Sequence, residues 1–349
     1  MERDRATLRR TRAAAALGIS LVLAAATRAG AAEHAGKPVC DEDNGGLQLP
    51  PGFCALVAAD GLGSALDLTV APNGDVYVAI DGADGGIAAL RDTDGDGRLE
   101  EIERFGSGAG SGVQYHDDHL YFSSDLFLLR YPLLGGTLVP SAAPEIILTG
   151  LLPQRSRRFE VDDDDSLYVD MERCRAGDRV SAAAGEEQCQ REEGVWRFSA
   201  DTPNQDAATQ GKRYSTCHTD GIFNAVNTET GKRYAVMHGT ERAGWPGDYS
   251  DMLIYTGKLF PEHYRGGAFV ATVASRSHAP DHRVDFLSFA DGKPVGVPEL
   301  FAEGFAPADA LRTPEDPRDR PVGLALGPDG SLYVSDSELG RIWRIFYRG

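Results

Sequence analysis

The sequence predicts an all-β fold, a six-bladed β-propeller, and three observations indicate it. A strand–turn–strand pattern recurs along the chain, and short strands with alternating side chains are separated by turns rich in Gly, Asn, Asp and Pro. Beyond the first 32 residues, no window has a helical period. The 41 glycines fit the many tight turns of such a fold. A two-sheet sandwich is the alternative, but it does not account for the repeat.

The repeat is clearest in three segments, which span residues 68–78, 159–169 and 324–334. Each consists of an apolar strand, a turn and a second strand that contains a Tyr. Pro-Asn-Gly and Pro-Asp-Gly supply the positive φ that the turn needs in the first and last copies. Asp165 takes the glycine place in the middle copy, and Asp tolerates this conformation better than most residues. We therefore expect the acidic run 162–165 to be a turn and not a metal cluster.

Weaker copies bring the number of repeats to six. The second strands of the copies include Val76, Leu120, Leu167, Tyr234, Phe269 and Leu332. Six repeats of four strands fit a six-bladed propeller that forms a single domain over residues 33–349. Strands at 53–57 and 340–347 are predicted to pair in one blade, because that pairing removes exposed sheet edges and closes the ring.

Residues 1–32 are predicted to be a secretory signal peptide and not part of the fold. A basic segment of arginines precedes a mostly apolar run at 13–26, and Ala29-Gly30-Ala31 has the small residues of a cleavage site. A membrane anchor is the alternative, but the run is shorter than the roughly 20 residues that a span needs. No later stretch is apolar enough to span. We expect a periplasmic or secreted protein without a membrane span after cleavage.

Charge and cysteine content limit the partners. The chain has 349 residues and a net charge of −18, so it lacks the basic footprint that nucleic acid or an anionic membrane requires. Export permits disulfides. Proximity favours Cys40–Cys54 and Cys174–Cys189 with Cys217 left over, although sequence alone does not fix the connectivity. There is no Cys-x-x-Cys motif for thiol redox chemistry or c-type haem, so electrons from a redox reaction would pass to an external acceptor.

The strongest local motif is a calcium loop at residues 92–103. Its acidic side chains alternate and a Glu stands at position twelve, as in an EF-hand loop. The expected Ca²⁺ ligands are the carboxylates of Asp92, Asp94 and Asp96, the carbonyl of Arg98, and Glu100 or Glu103. Flanking residues 87–90 and 102–105 have the pattern of strands, so a structural ion in a β context is predicted. A solvated acidic turn without an ion is the alternative.

Three segments of the chain resemble the glucose/sorbosone dehydrogenase family. They are residues 40–55 with the sequence Leu-Pro-Pro-Gly-Phe-Cys, the loop 91–97, and the C-terminal stretch 320–345. Characterised members of that family are six-bladed propellers that oxidise sugars with pyrroloquinoline quinone (PQQ) and Ca²⁺. The resemblance therefore implies a PQQ- and Ca²⁺-dependent dehydrogenase that acts on an aldose or a sugar-derived aldehyde of the sorbosone type.

The resemblance also assigns roles to individual residues. The family uses a His as general base and an Arg to stabilise charge on the quinone. This chain has Gln154 at the position of the base and Phe223 at the position of the Arg. The cofactor-binding residues that the resemblance implies are Asn224, His238, Gly239 and Arg276. His238 is the candidate catalytic base, and His278 is the second choice.

Two other functions stay open because Gln154 and Phe223 lack the expected chemistry. One is a propeller that has lost catalysis and binds a sugar or a partner protein. The other is a Ca²⁺-dependent lactonase, which needs a Glu/Asn/Asp metal site in the channel that the sequence does not assign. Three tryptophans are predicted to pack in blade cores, with a stacking platform for a ring as the alternative: Trp196, Trp245 and Trp343.

Overall fold

The structure is a computed structural model that describes residues 37–151, 159–174, 191–215, 226–227, 232–233, 248–273, 282–290, 293–305 and 321–349. Within these ranges the regular elements are β-strands and two short 3₁₀ turns, at Asn44–Gly46 and Glu262–Tyr264. The all-β prediction is confirmed. The predicted signal peptide, Tyr234 and Trp245 lie outside the described residues. In the described part of the chain, no helix is long and apolar enough to cross a membrane.

Three sheets form from the first 215 residues, and their strands are given in chain order. The first sheet contains β2 (Ala65–Val70), β3 (Val76–Ile80), β4 (Gly86–Arg91) and β5 (Glu101–Phe105). The second contains β6 (Gly110–His116), β7 (His119–Ser124), β8 (Leu128–Pro132) and β9 (Glu145–Thr149), and the short β13 (Gln205–Asp206) runs parallel to β9. The third contains β10 (Phe159–Val161), β11 (Ser166–Cys174), β12 (Arg191–Ser199) and β14 (Lys212–Ser215).

The remaining strands form two further large sheets and one small sheet. The fourth sheet contains β17 (Asp248–Ile254), β18 (Ala268–Val273), β19 (Arg283–Ala290) and β20 (Lys293–Ala302). The fifth contains β21 (Pro321–Leu326), β22 (Leu332–Asp336), β23 (Ile342–Tyr347) and, at its outer edge, β1 (Phe53–Ala59). A two-stranded sheet pairs β15 (Val226–Asn227) with β16 (Lys232–Arg233).

The five large sheets are the blades of a β-propeller, as the repeat predicts. Their first strands β2, β6, β10, β17 and β21 line a common central cavity, and the following strands of each sheet add outward. The prediction of six blades is not reproduced, because the described residues form five. The repeat counted at Tyr234 contributes only the β15–β16 pair to the described part of the chain.

The repeated hairpins have the predicted turn chemistry. The pairs β2–β3, β10–β11 and β21–β22 are antiparallel hairpins. Gly74 and Gly330 have φ values of 94° and 90°, and Asp165 has a φ of 58° at the corresponding place. The N–H of Asp165 donates to the carbonyl of Asp162 at 2.9 Å, so the acidic run closes a turn, as expected.

The two ends of the described chain close the ring. β1 pairs antiparallel with β23, and Phe53 lies opposite Tyr347, which confirms the predicted closure. The indole N–H of Trp343 donates to the carbonyl of Gly45 at 3.0 Å. Trp343 and Trp196 are buried in blade cores, as predicted.

One of the two proposed disulfides lies beside this closure. Cys40 and Cys54 are joined, which confirms the pairing that proximity favours. The Cys174–Cys189 pairing stays a prediction, because Cys189 and Cys217 lie outside the described residues.

The antiparallel strands give the propeller two distinct ends. At the hairpin end, the first strand of each blade turns into the second, as at residues 71–75 and 327–331. At the crossover end, the chain passes from the outermost strand of one blade to the innermost strand of the next, as at residues 60–64 and 106–109. The second and third strands are also joined at the crossover end, and the third and fourth at the hairpin end.

Candidate functional site

The predicted calcium loop joins β4 to β5 at the hairpin end of the first blade. Four carboxylates, those of Asp92, Asp94, Asp96 and Glu100, each place one oxygen within 4.8 Å of the others. Among the residues that the structure describes, this is the one group of acidic, His or Cys side chains that converges in this way. The set fits Ca²⁺, which takes hard oxygen ligands, and a cation would offset the repulsion between the carboxylates.

Backbone N–H groups hold the loop in this shape. The Asp92 carboxylate accepts from Gly95 at 2.6 Å and from Gly97 at 2.9 Å. These glycines have φ values of 79° and 100°, which side-chain-bearing residues rarely adopt. The Asp96 carboxylate accepts from the N–H of Arg98 at 2.8 Å. The alternation of Asp and Gly in the sequence therefore produces the convergence of the acidic side chains.

Of the two alternative acidic ligands, the geometry favours Glu100. The N–H and the hydroxyl of Thr93 donate to the Glu100 carboxylate at 3.0 and 3.1 Å. Burial raises the pKa of Glu100, but the hydrogen bonds outweigh burial and the pKa is lowered from its ordinary value. Glu103 is exposed on β5 opposite Ala89 and is not part of the converging group.

The loop also holds the closing strand β1. The guanidinium of Arg98 donates to the carbonyl of Val57 at 2.9 Å and to the carboxylate of Asp41 at 2.6 Å. The next residue, Leu99, is buried, and its N–H donates to the carbonyl of Ala58 at 2.8 Å. The first blade and the closing strand β1 are therefore linked through the candidate metal loop.

Elsewhere at the hairpin end, arginines on third strands hold the first turn of their own blade. Arg91 donates from Nε and Nη2 to the two carboxylate oxygens of the buried Asp75, each at 2.7 Å. Arg344 donates to Asp329 at 3.0 Å and to the hydroxyl of Ser331 at 3.2 Å. Both pairs use two nitrogens of the guanidinium, so each arginine is fixed in orientation.

The Asp329 carboxylate is well supplied with donors. Ser331 donates its hydroxyl at 2.6 Å and its N–H at 3.1 Å to one oxygen, and Arg344 donates to the other. Burial raises the pKa of Asp329, but the Ser331 hydrogen bonds and the charge of Arg344 outweigh burial. The pKa of Asp329 is therefore lowered, which means that the folded state favours the charged carboxylate.

The five innermost strands enclose a cavity of about 200 Å³. Asp67 accepts from the N–H of Val113 in the next blade at 3.0 Å, and Asp251 accepts from the N–H of Leu324 in the next blade at 2.7 Å. Each of these carboxylates follows a β-bulge, a feature that redirects side chains. The cavity carboxylates thus join blades. In the described part of the chain, they do not form the acidic metal group that a lactonase requires.

A second charged cluster lies at the crossover end of the fourth blade. Arg283 begins β19 opposite Thr272 of β18. The Nε of Arg283 and the hydroxyl of Thr272 both donate to Oδ2 of Asp285, at 2.9 and 3.2 Å. The Asp285 side chain is 5 % exposed and that of Arg283 is 25 % exposed. Burial raises the pKa of Asp285, and the contacts with Arg283 and Thr272 offset only part of this effect.

The cofactor-binding and catalytic residues that the family resemblance implies lie outside the described residues. They are Asn224, His238, Gly239 and Arg276, with His278 and the substituted positions Gln154 and Phe223. In sequence, Gln154 shortly precedes β10 and Arg276 shortly follows β18. β10 begins and β18 ends at the crossover end. The roles of these residues stay predictions.

Sequence reasoning missed Arg283 and Asp285. They alternate with Val284 and Phe286 along β19, which is the pattern of a strand with one solvated face. Alternation does not distinguish a solvated face from a buried polar contact between strands. No signal in the sequence points to Thr272 as the neighbour that completes the cluster.

No family model matches the sequence, and no curated protein matches it. The PQQ domain of a pyranose dehydrogenase from Coprinopsis cinerea, in its holo form, matches with 13 % identity and a TM-score of 0.56, over 89 % of this chain and 98 % of that one. An iodide structure of a Trichoderma reesei carbohydrate-active enzyme of family AA12 matches with 13 % identity and a TM-score of 0.60, over 86 % of this chain and 98 % of that one. The chain therefore has the β-propeller fold of these proteins, which agrees with its resemblance to the glucose/sorbosone dehydrogenases.

Proposed function

We propose that the protein is an exported quinoprotein that oxidises a sugar or a sugar-derived aldehyde with PQQ and passes the electrons to an external acceptor. The observation that carries the proposal is a propeller fold shared, over nearly the full length of both chains, with the PQQ domain of a pyranose dehydrogenase. The family-like segments at both ends of the chain support the same function. The signal-like N-terminus and the Cys40–Cys54 disulfide support a periplasmic or secreted location.

PQQ, when bound, would supply the two-electron acceptor for the oxidation. The residues of this chain would bind and orient the reactants. His238 or His278 would accept the proton of the substrate hydroxyl. Arg276 and Asn224 would hold the acidic quinone through charged and neutral hydrogen bonds. The His238-Gly239 segment would complete the binding site.

A second candidate function is binding of a sugar or a partner protein without turnover, and the residues at two positions favour it. Gln154 does not accept a proton at neutral pH, and Phe223 carries no charge. A missing general base typically costs roughly 10²–10⁴ in rate, and a missing charge stabiliser costs roughly 10²–10³. We therefore expect the protein loaded with PQQ and Ca²⁺ to oxidise sugars slowly or not at all, while binding is retained.

We also propose that the loop at the hairpin end of the first blade holds one structural Ca²⁺. The ligands would be Asp92, Asp94, Asp96 and Glu100, with the carbonyl of Arg98. The Arg98 side chain and the Leu99 backbone N–H both contact β1, which supports a role of the loop in closure of the propeller. The loop's contacts with the closing strand support a structural and not a catalytic ion.

We further propose that the complete ring has six blades, of which β15 and β16 belong to the sixth. Val226 pairs antiparallel with Arg233, as the first two strands of the other blades do, and this pair falls between the third and fourth large sheets in the sequence. A crystal structure tests the proposal. Six four-stranded sheets would support it, and a ring closed by five would contradict it.

Reconstitution of the purified apoprotein with PQQ and Ca²⁺ tests the proposed dehydrogenase. We expect saturable binding, seen as a change in quinone absorbance, and weak dye reduction with aldoses. The double variant Gln154→His/Phe223→Arg should raise turnover, because it restores a base and a cation at the family's positions. Absence of PQQ binding would contradict the proposal.

The same experiment separates the two candidate functions. Binding without turnover, in the wild type and in the double variant, would favour the binding protein. Fast turnover by the wild type would instead show that Gln154 is not at the base position. Variants His238→Ala and His278→Ala would then identify the residue that accepts the proton, because loss of the base lowers the rate and leaves PQQ binding in place.

A further inference from the structure

The Arg283–Asp285 pair differs from the arginine contacts at the hairpin end. Arg91 and Arg344 each bind their partners through Nε and a terminal nitrogen. Arg283 uses Nε alone, at 2.9 Å from Asp285. Its two terminal nitrogens have no hydrogen-bond acceptor among the residues that the structure describes. Within the described part of the chain, the guanidinium is therefore oriented by one hydrogen bond, and the edge formed by its terminal nitrogens has no partner.

The pair lies at the crossover end, near the start of the neighbouring innermost strand. Arg283 is the first residue of β19, and Thr272 is the last but one of β18. The hydroxyl of Ser250 donates to the carbonyls of Ala271 and Pro321, at 3.2 and 2.8 Å, so the end of β18 and the start of β21 lie close together. In sequence, Arg276 follows the last residue of β18 and Gln154 precedes the first residue of β10, and these two strand termini lie at this same end.

The burial of Asp285 is costly for the fold. The carboxylate is 5 % exposed, and both of its hydrogen bonds reach the same oxygen, Oδ2. Burial therefore dominates and raises the pKa of Asp285. A buried ion pair of this kind contributes little to stability, and perturbed charged groups concentrate at functional sites.

We propose that Arg283, held in orientation by Asp285, binds a carboxylate group of the ligand at the crossover end. The inference rests on the proposed function, because a carboxylate there has two sources: the quinone, which is a tricarboxylate, or an acidic sugar. The terminal nitrogens of a guanidinium match the two oxygens of a carboxylate, whereas a neutral hydroxyl engages only one of them. The net charge of −18 repels anions at long range, so their binding requires a local cation.

Separate calorimetric titrations of PQQ and of glucuronate into the Ca²⁺-loaded protein test the inference. Arg283→Gln should weaken binding of the carboxylate ligand about 10- to 100-fold, because a charged hydrogen-bonded contact is lost. Arg283→Lys keeps the positive charge but lacks the two terminal nitrogens of a guanidinium, so it should recover part of the affinity. Asp285→Asn should also weaken binding, because Arg283 loses its orientation.

A matched control lies at the same end of the propeller. Arg104 donates to the carbonyl of Leu62 at 2.7 Å, and Arg104→Gln removes the same charge as Arg283→Gln. This variant should bind both ligands within about twofold of the wild type, because it loses a screened surface charge and a hydrogen bond to a loop carbonyl, neither of which concerns Arg283. A loss equal to that of Arg283→Gln would show an effect of net charge alone and would overturn the inference.

The two ligands distinguish failure of the inference from failure of the proposed function. If the wild type binds glucuronate but not PQQ, and Arg283→Gln loses glucuronate, the inference stands and the proposed cofactor is wrong. Equal affinities of Arg283→Gln and the wild type, or no binding of either ligand by the wild type, overturn the inference. If Arg283→Gln does not fold, Arg283→Lys and Asp285→Asn decide, since unchanged affinity in both overturns it.

Discussion

The hairpin end and the crossover end use the same pair of residue types in opposite ways. At the hairpin end, Asp329 receives hydrogen bonds on both oxygens from Ser331 and Arg344, and its pKa is lowered. At the crossover end, Asp285 receives them on one oxygen, and its pKa is raised by burial. The Asp329 side chain is also 44 % exposed, whereas that of Asp285 is 5 % exposed. Solvent exposure and the number of donors, and not the presence of an arginine, thus separate the two pKa directions.

This difference separates groups that hold the blades together from groups that are available to a ligand. Each hairpin-end arginine donates from two guanidinium nitrogens to the turn of its own blade, so few of its N–H groups are left to bind another molecule. Arg283 uses one. We expect substitutions of the hairpin-end pairs to change stability and substitutions of Arg283 or Asp285 to change binding.

The largest expected effect is that of Asp75→Ala at the hairpin end. The buried Asp75 accepts two 2.7 Å hydrogen bonds from Arg91, so its loss leaves Arg91 with only the more distant carboxylate of Glu101, 3.9 Å from Nη1, among the described residues. The free energy of unfolding should fall by about 3 kcal/mol, as measured by urea denaturation. The control Asp84→Ala removes an exposed carboxylate and should change stability by less than about 0.5 kcal/mol. Equal effects would contradict a structural role for the pair.

Removal of Ca²⁺ should have the next largest effect. At a Ca²⁺ concentration about 100 times Kd, binding to the loop would stabilise the fold by about 2.7 kcal/mol, so EDTA should lower Tm. Asp94→Ala should abolish this dependence, while Asp163→Ala, in the acidic turn, should keep it. If Tm does not change with EDTA, the proposal that a bound Ca²⁺ stabilises the closed propeller is wrong.

A smaller effect is expected for Asp329→Asn, and it should depend on pH. Because the pKa of Asp329 is lowered from 3.8, the charged carboxylate contributes stability above that value and loses it as pH falls through the folded-state pKa. The variant should be less stable than the wild type at pH 7, but by less than about 1 kcal/mol, because the side chain is 44 % exposed and water screens its ion pair. The difference should shrink in acid denaturation below pH 4, and a difference that does not depend on pH would refute the assignment.

The smallest effect on stability is expected for Asp285→Asn. Here the folded-state pKa is raised from 3.8, so the wild type loses stability relative to the variant as pH rises from 3.8 through the folded-state pKa. At pH 7 the variant should be as stable as the wild type or more stable by up to about 1 kcal/mol. A large destabilisation would show that Asp285 stabilises the fold as the hairpin-end carboxylates do, and would contradict the difference proposed between the two ends.

The sequence predicted the parts of the fold that depend on local chemistry. The hairpins follow from residues such as Gly74 and Asp165, whose positive φ a turn requires, and the closing strands follow from their alternating pattern. The acidic loop was predicted because its ligands are neighbours in the chain. Glu100 could not be chosen over Glu103 from sequence, since the choice depends on the hydrogen bonds of Thr93.

Contacts between blades could not be predicted. Asp67 and Asp251 reach backbone N–H groups of neighbouring blades because bulges turn them, and a bulge leaves no fixed sequence pattern. The Arg283–Asp285 cluster depends on the register of β18 against β19. The number of blades also depends on relations between distant segments, and the repeat at Tyr234 was too weak to determine it.

The closing strand has a consequence for the order of folding. Trp343 bonds to Gly45, a partner 298 residues earlier in the chain, and β1 has no other sheet to join until β23 exists. During synthesis from the N-terminus, β1 therefore waits as an unpaired edge, a state prone to aggregation. In the folded protein, Asp41 contacts Arg98 of the first blade, and the Cys40–Cys54 disulfide joins the chain beside Asp41 to β1. β1 can pair with β23 only after the rest of the chain has been made. Because this pairing joins residues far apart in the sequence, we expect it to limit the folding rate.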